Sequence, residues 1–436
     1  MGKFQLIATI IIIGLVVVAV LVLSGVIPGL PGVSRVVTTD LTMWGVLPKN
    51  DVRGLIGEAS QSSKKLVGAF NINYIEKTAD VYESELVDAL ASGEGPDLFF
   101  LPQDMLLKHL NKVQIIPYSS FTERAFKDSL ADVAEVYLLE EGVAAVPFAV
   151  DVIVMYWNKD LFNKAGLASP PRYWSEFINF SEVLTRNDSS GNILESGTAL
   201  GEFSNIKNAK EIFSLLILQS GNKIIEPKSF ELKFGERSGA IVDPAVSALT
   251  FYTSFSNPSK ISYSWNRALP NSQEMFTSGR LAMYFGYASE IKDIQIKNPH
   301  LSFDVTTVPQ VENRPIEATY GKLYAVAVSK MSSNVNSAVR ASFAFLNEEG
   351  LKDFENTSLI PSVSRKLLAQ GNSNPALSVF YKAALQARSW LEPDAEVASQ
   401  IFRSMIESVT SGRKGVSSAI SDANRLLSAE LEKVIK

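Results

Sequence analysis

The chain has 436 residues, of which 46% are apolar and 20% charged, enough to bury more than one core, so two lobes are the natural expectation. Its 41 basic and 46 acidic residues leave a net charge of -5 with no basic stripe, which argues against nucleic acid as a partner. With no cysteine and only His109 and His300, disulfides, thiolate metal sites and a cysteine nucleophile are excluded, and zinc or triad chemistry has little to work with.

From the N-terminus, no charge falls between Lys3 and Arg35, and Leu6 to Ile27 is almost wholly apolar. That run is close to the roughly 20 residues that span a bilayer. A signal segment is the competing reading, but its apolar core is usually about 7 to 15 residues, and no Ala-x-Ala site follows here. One uncleaved helix is therefore expected, with Lys3 inside and the body outside. Pro28, Gly29, Pro31 and Gly32 then form a short linker, so residues 1–35 make an anchor or signal segment plus linker.

The body opens with a β-rich run, Val36 to Trp44, ending at Gly45, as the first strand of an open α/β sheet. Helical patterning at Tyr82 to Ala91 and the turn Gly93-Glu94-Gly95-Pro96 lead into a short buried strand at Asp97 to Leu101, stopped by Pro102. The order strand, helix, strand argues for parallel pairing. Pro147 to Tyr156 reads as a strand that crosses between lobes, stopped by Asn158-Lys159-Asp160. A helix from Leu161 to Ala165 ends at Gly166, and Pro170-Pro171 forces an extended turn. Helices follow at Trp174 to Thr185, Asn208 to Ser220, Pro244 to Ser254 and Ser272 to Thr277, building the second lobe. Leu323 to Val328 returns as a strand before the helix Val335 to Leu346, and a third crossing falls near Leu359-Ile360-Pro361. Ala376 to Gln386 and the amphipathic stretch Ile401 to Ile435 complete the chain. The expected lobes are thus 36–148 with 323–360, and 149–322 with 361–436.

Several of these blocks resemble family 1 extracellular solute-binding proteins, which supply sugars and related solutes to ABC importers. The stretch AVPFAVDVIVMYWNKDLFNKAGLASPPRYWSEF, Ala145 to Phe177, is similar to the segment in which that family's chain passes through its hinge. Gly93 to Leu98 resembles its G-x-x-P-D-hydrophobic approach to a strand, and Asp243 to Pro258 its A-L-x-F-Y-x-x-F-x-N-P helix. Phe276 to Met283 matches F-x-x-G-x-x-A-M, a helix closed by glycine before a strand, and Val409 to Ser428 resembles the last helical hairpin. The departures are the missing lipid-bearing cysteine and Tyr320-Gly321-Lys322, where many members carry paired glycines. The resemblance implies a two-lobed periplasmic-binding-protein type II fold with a hinge of crossing strands, here preceded by a transmembrane helix. It implies a monomeric receptor without cofactor or catalysis on the outer face of the cytoplasmic membrane, holding a carbohydrate or similar solute and docking on an ABC permease.

Ligands of open α/β sheets bind beyond the carboxyl ends of strands, so candidate residues can be read from strand ends. Trp44, Gln103, Asp104, Asp151 and Tyr287 qualify on that ground; Trp265, Tyr320 and Trp390 sit in loops that the resemblance brings towards the cleft. Sugars need carboxylates and amides for their hydroxyls and aromatic rings for their C–H faces. Each residue has a structural alternative. Trp44 and Trp265 suit a core or rim, Asp151 suits a hinge bond to backbone, and Asp104 suits a cap on a helix starting at Met105. Trp390 suits packing in an exposed loop, Tyr156 suits the core, and His109 suits a helix surface. No Lys/Arg cluster converges on the strand ends, which argues against a multiply anionic ligand. Asn187 to Asn192 lacks the ligand spacing of a calcium loop and reads as a glycine turn. Two other classes remain: a carbohydrate-active enzyme using Asp104 and Asp151 as its carboxylate pair, and a sensing or surface-attachment protein on the same fold.

Overall fold

Alternation of apolar runs with helical patterns produces a mixed sheet flanked by helices, and the computed structural model describes it for Gly2 and residues 38–64, 69–236, 243–314 and 316–435. The expected anchor, 6–27, and its linker lie outside the described residues. Among the described residues, no helix is long and apolar enough to cross a membrane.

Strand β1 (Thr39–Gly45) pairs in parallel with β2 (Phe70–Glu76) on one side and β3 (Leu98–Phe100) on the other. The crossovers are the helices Lys49–Ser63 and Ala79–Ser92, as parallel pairing requires. The latter helix closes on Gly93 in the left-handed region, φ 79°, where an L side chain is strained. A small pair, β4 (Ile116–Pro117) and β5 (Gly142–Val143), precedes the long β6 (Val146–Asn158). Every residue of β6 except Trp157 is buried, which accounts for an apolar run broken inside the strand only by Asp151. Beyond it lie β7 (Arg186–Asn187), β8 (Ile193–Thr198), β9 (Leu281–Tyr287) and β10 (Phe303–Thr306). The last long strand, β11 (Thr319–Val328), and the short β12 (Ala387–Arg388) complete a sheet of order β2-β1-β3-β11-β6-β9-β8-β7, with β10 on β6 and β12 on β11.

Two strands therefore join the halves of the sheet, β6 running outward and β11 antiparallel to it running back. At the junction, a Cβ on Gly321 would come within 2.7 Å of Val150 Cγ2, so only glycine lets the two strands approach this closely. A third pass lies alongside: the Val150 amide donates to Pro361 O at 2.9 Å, and the Val363 amide to Phe148 O at 3.1 Å. The fold is a two-lobed periplasmic-binding-protein architecture. One core gathers Leu41, Met43, Val52, Phe100, Phe148 and Phe354, with the Phe100 and Phe148 ring centroids 5.2 Å apart. A larger one runs through the crossing strands into the other half, around Trp174, Phe177, Phe255 and Phe285.

Two local expectations change, for Tyr320 and His109. Tyr320 lies on β11, not in a loop, because β11 starts earlier than its most apolar part suggests. The last helical hairpin is present as the helices Ala395–Thr410 and Val416–Val434, with Gly412 between them at φ 70°. His109 is buried rather than on a helix surface, with Nε2 2.8 Å from Glu83 Oε1. The glycine turn is present: Asp188 Oδ1 accepts from the Ser190 and Asn192 amides at 2.8 and 2.9 Å, and Gly191 has φ 84°.

Candidate ligand-binding site

The antiparallel register of the crossing strands puts Asp151 on β6 directly opposite Lys322 on β11. Lys322 Nζ lies 3.1 Å from Asp104 Oδ2, on the first turn of the helix Gln103–His109 that follows β3. Pro102, not Asp104, holds the cap position, and no side chain caps this helix, so the capping role is corrected. Asp104 Oδ1 is buried and has no partner. Beneath this pair Gln103 is wholly buried; its Oε1 accepts from the Leu323 amide at 2.7 Å, and its Nε2 donates to the Tyr320 hydroxyl at 3.2 Å. The Tyr320 hydroxyl in turn donates to Glu392 Oε1 at 3.3 Å. The other oxygen of Glu392 accepts from Lys210 Nζ at 2.6 Å, and Glu211 lies 3.6 Å from the same ammonium. Asp151 Oδ1 accepts from the Ser289 amide at 3.1 Å, as the hinge alternative requires. Tyr287, at the end of β9, stays half-buried, and its carbonyl accepts from the Tyr156 hydroxyl at 2.7 Å.

Charge is balanced inside this group by pairing. Burial opposes ionisation of Asp104, but Lys322 and Lys210 together outweigh it and hold the carboxyl below its ordinary range. The Asp104 carboxylate overcomes the cost of burying Lys322 and holds that ammonium well above the usual lysine range. Burial would pull Lys210 down, yet Glu392, Glu211 and Asp104 more than offset it, so Lys210 keeps its proton. Complete burial pushes Glu392 up to about 7, against the pull of Lys210. Asp151 is likewise pushed up to about 7 by burial, with Glu290 adding to the rise and the Ser289 bonds and Lys322 opposing it. Burial drives the Tyr287 and Tyr320 phenols well above their usual range, so both remain protonated donors. The group thus offers ammonium and phenol donors beside carboxylate acceptors in a poorly solvated junction.

The structure brings together Gln103, Asp104, Asp151, Tyr287 and Tyr320 of the expected residues; the three tryptophans pack in different ways. Trp265 is wholly buried and its indole N–H donates to Asn205 Oδ1 at 3.1 Å, as the core alternative requires. Trp390 is also wholly buried, stacked on Phe402 with centroids 6.0 Å apart and planes 20° apart, which corrects the exposed-loop placement. Trp44 is half-buried with the Lys77 ammonium 3.8 Å above its ring and an unpartnered indole N–H. Tyr156 is in the core, as its strand position suggests. Sequence reasoning missed Lys322, Lys210, Glu211 and Glu392. Two lysines do stand in the group, each paired with a carboxylate, Lys322 with Asp104 and Lys210 with Glu392. Lys322 carried a signal, standing in the segment where the glycine pattern breaks; Lys210 and Glu392 are 182 residues apart and carried none.

A two-lobed α/β body whose crossing strands bear a polar group with unused donors and acceptors is the architecture of a solute receptor. The chain belongs to the family of bacterial extracellular solute-binding proteins, whose model matches residues 61–350. A binding protein of Brucella abortus (strain 2308) is 23% identical over 74% of this chain and 74% of its own length. The galactooligosaccharide-binding protein of Bacillus subtilis (strain 168) is 22% identical over 84% of this chain and 86% of its own. Among solved structures, a cyclo/maltodextrin-binding protein complexed with maltotetraose superposes with a TM-score of 0.71 at 18% identity, covering 89% of this chain and 96% of that one.

Proposed function

We propose that this protein is an extracytoplasmic receptor that encloses a carbohydrate or similar polar solute between its lobes and delivers it to an ABC permease. The observation that carries this reading is the polar group at the β6–β11 junction, drawn from both halves of a chain of this family. The names of the Bacillus relative and of the maltotetraose complex favour an oligosaccharide. The lobes divide as 36–148 with 323–360 and 149–322 with 361–436, and the apolar run 6–27 tethers the body to the membrane. Asp104, Asp151 and Tyr287 contact the ligand; Gln103 and Tyr320 hold the floor in place. Ligand touching both lobes stabilises the closed form by its differential affinity, and the permease reads that shape. No bond is made or broken. The carboxylate-pair enzyme has less support, since Asp151 is turned to the Ser289 amide and Asp104 is tied to Lys322.

Thermal unfolding of the full chain with maltotetraose, mannotriose and a galactooligosaccharide tests the reading. A bound sugar at 100 times its dissociation constant adds about 2.7 kcal/mol and raises the transition. X-ray scattering of the same sample should show contraction, and the sugar should be recovered unchanged. An unmoved transition with all three sugars would sink the proposal.

A further inference from the structure

We infer that Asp104 and Lys322 form a donor–acceptor clamp for two adjacent hydroxyl groups, a vicinal diol, of the bound solute. The inference rests on the receptor reading above and names the group of the ligand that this part of the floor takes. Lys322 is in the middle of a crossing strand, where its neighbours Gly321 and Leu323 are buried, yet its side chain keeps 33% of its surface open. A lysine so placed does not serve the core. Its ammonium has three donors, and Asp104 is its one partner among the described residues, so two donors are free. Asp104 is also underused: one oxygen meets Lys322 and the other, buried, meets nothing. Leaving a buried carboxylate oxygen unpaired is costly unless something supplies the missing donor.

The geometry suits a diol in particular. The two hydroxyl oxygens of a vicinal pair are separated by about as much as the 3.1 Å between Lys322 Nζ and Asp104 Oδ2. One hydroxyl donates to the carboxylate while the oxygen of its neighbour accepts from the ammonium, and a neutral diol leaves the charge balance of the pair intact. An anionic group at this point would meet Asp104, and a cationic group would meet Lys322. Lys322 thereby becomes a specificity-determining residue in the segment where resembling proteins carry paired glycines.

The test is calorimetric titration of the full chain with maltotetraose, mannotriose and a galactooligosaccharide, for the wild type and for Lys322→Met, Lys322→Arg, Asp104→Asn and the double variant Asp104→Asn/Lys322→Met. For a sugar that the wild type binds, each neutral single substitution should weaken binding at least about ten-fold, the size of one lost charged hydrogen bond. The double variant should lose no more than about the larger single loss, because the clamp needs both members. Lys322→Arg should fall between. Monodeoxy forms of that sugar, lacking one hydroxyl of a vicinal pair, should bind the wild type more weakly than the parent and the double variant no differently. The double variant also guards against misfolding, since it leaves no unpaired buried charge. Wild-type affinity in a folded double variant overturns the clamp and leaves the receptor standing. No binding of any of the three sugars by the wild type overturns the receptor reading and the clamp with it.

Discussion

The floor of the junction and the three tryptophans were expected to form one site, yet the structure treats them in opposite ways. Gln103 and Asp104 on one helix, Asp151 on β6 and Lys322 on β11 come together at the crossing strands, with Lys322 3.1 Å from Asp104 and opposite Asp151 in register. Trp265 and Trp390 are absorbed into cores by Asn205 and Phe402. The difference follows from solvation. A buried indole gains from any apolar or aromatic contact and has one polar atom to satisfy, so a core competes well for it. A carboxylate or ammonium can be buried only where a partner waits, which confines these groups to a few places.

The largest effects should come from the two buried ends of this comparison. Trp265→Ala is expected to cost about 3–5 kcal/mol of unfolding free energy in a denaturant titration, while the folded fraction binds oligosaccharide as before. Unchanged stability with lost affinity would return Trp265 to the cleft. Glu392→Leu should cost a similar amount, about 3–5 kcal/mol, because Lys210 would be left buried without its 2.6 Å partner. Adding Lys210→Met should recover most of that loss; if it does not, the pair holds the floor by shape rather than by charge.

Asp151 gives a pH-dependent effect. Its ordinary value is 3.8 and burial raises the folded value to about 7, so between these the native state holds a proton that the unfolded chain has released. The stabilising contribution is full below about pH 4 and is lost as pH rises through about 7. Asp151→Asn should therefore gain on the wild type across that window, by up to about 1.4 kcal/mol per pH unit, and level off above it. A flat difference from pH 4 to 8 in paired melting curves would show that Asp151 is ionised throughout.

How much of this could be read beforehand depends on how local the cause is. The helix Pro244–Ser254 was legible because Asp243 caps it, accepting from the Ala245 amide at 2.8 Å, and Pro244 fills its first position. β6 was legible because a strand buried on both faces is a nearly continuous apolar run, here broken inside only by Asp151. The helix Lys49–Ser63 was not, since its buried face is only Val52, Leu55, Ala59 and Ser63, covered by the distant helix Glu348–Ser358. In the site, Gln103, Asp104 and Asp151 followed from strand position. Lys322 required the β6–β11 register, and the Lys210–Glu392 pair required the whole fold.

The smallest effect sharpens the comparison most, because Trp44 belongs to neither side. It stands half-buried at the end of β1, with Lys77 3.8 Å over its ring and its indole N–H free. A partly exposed cation over an indole contributes about 0.5–1 kcal/mol, so Lys77→Met should lower stability by no more than that. The same change uncovers one face of an aromatic ring near the end of a first sheet strand, where a sugar face could stack. Tryptophan fluorescence should then become more open to a soluble quencher, and a bound oligosaccharide should restore protection. Protection by sugar would place Trp44 with the polar floor as ligand-contacting surface. Quenching that sugar leaves unchanged would place it with Trp265 and Trp390, and the site would then draw its aromatic surface from Tyr287.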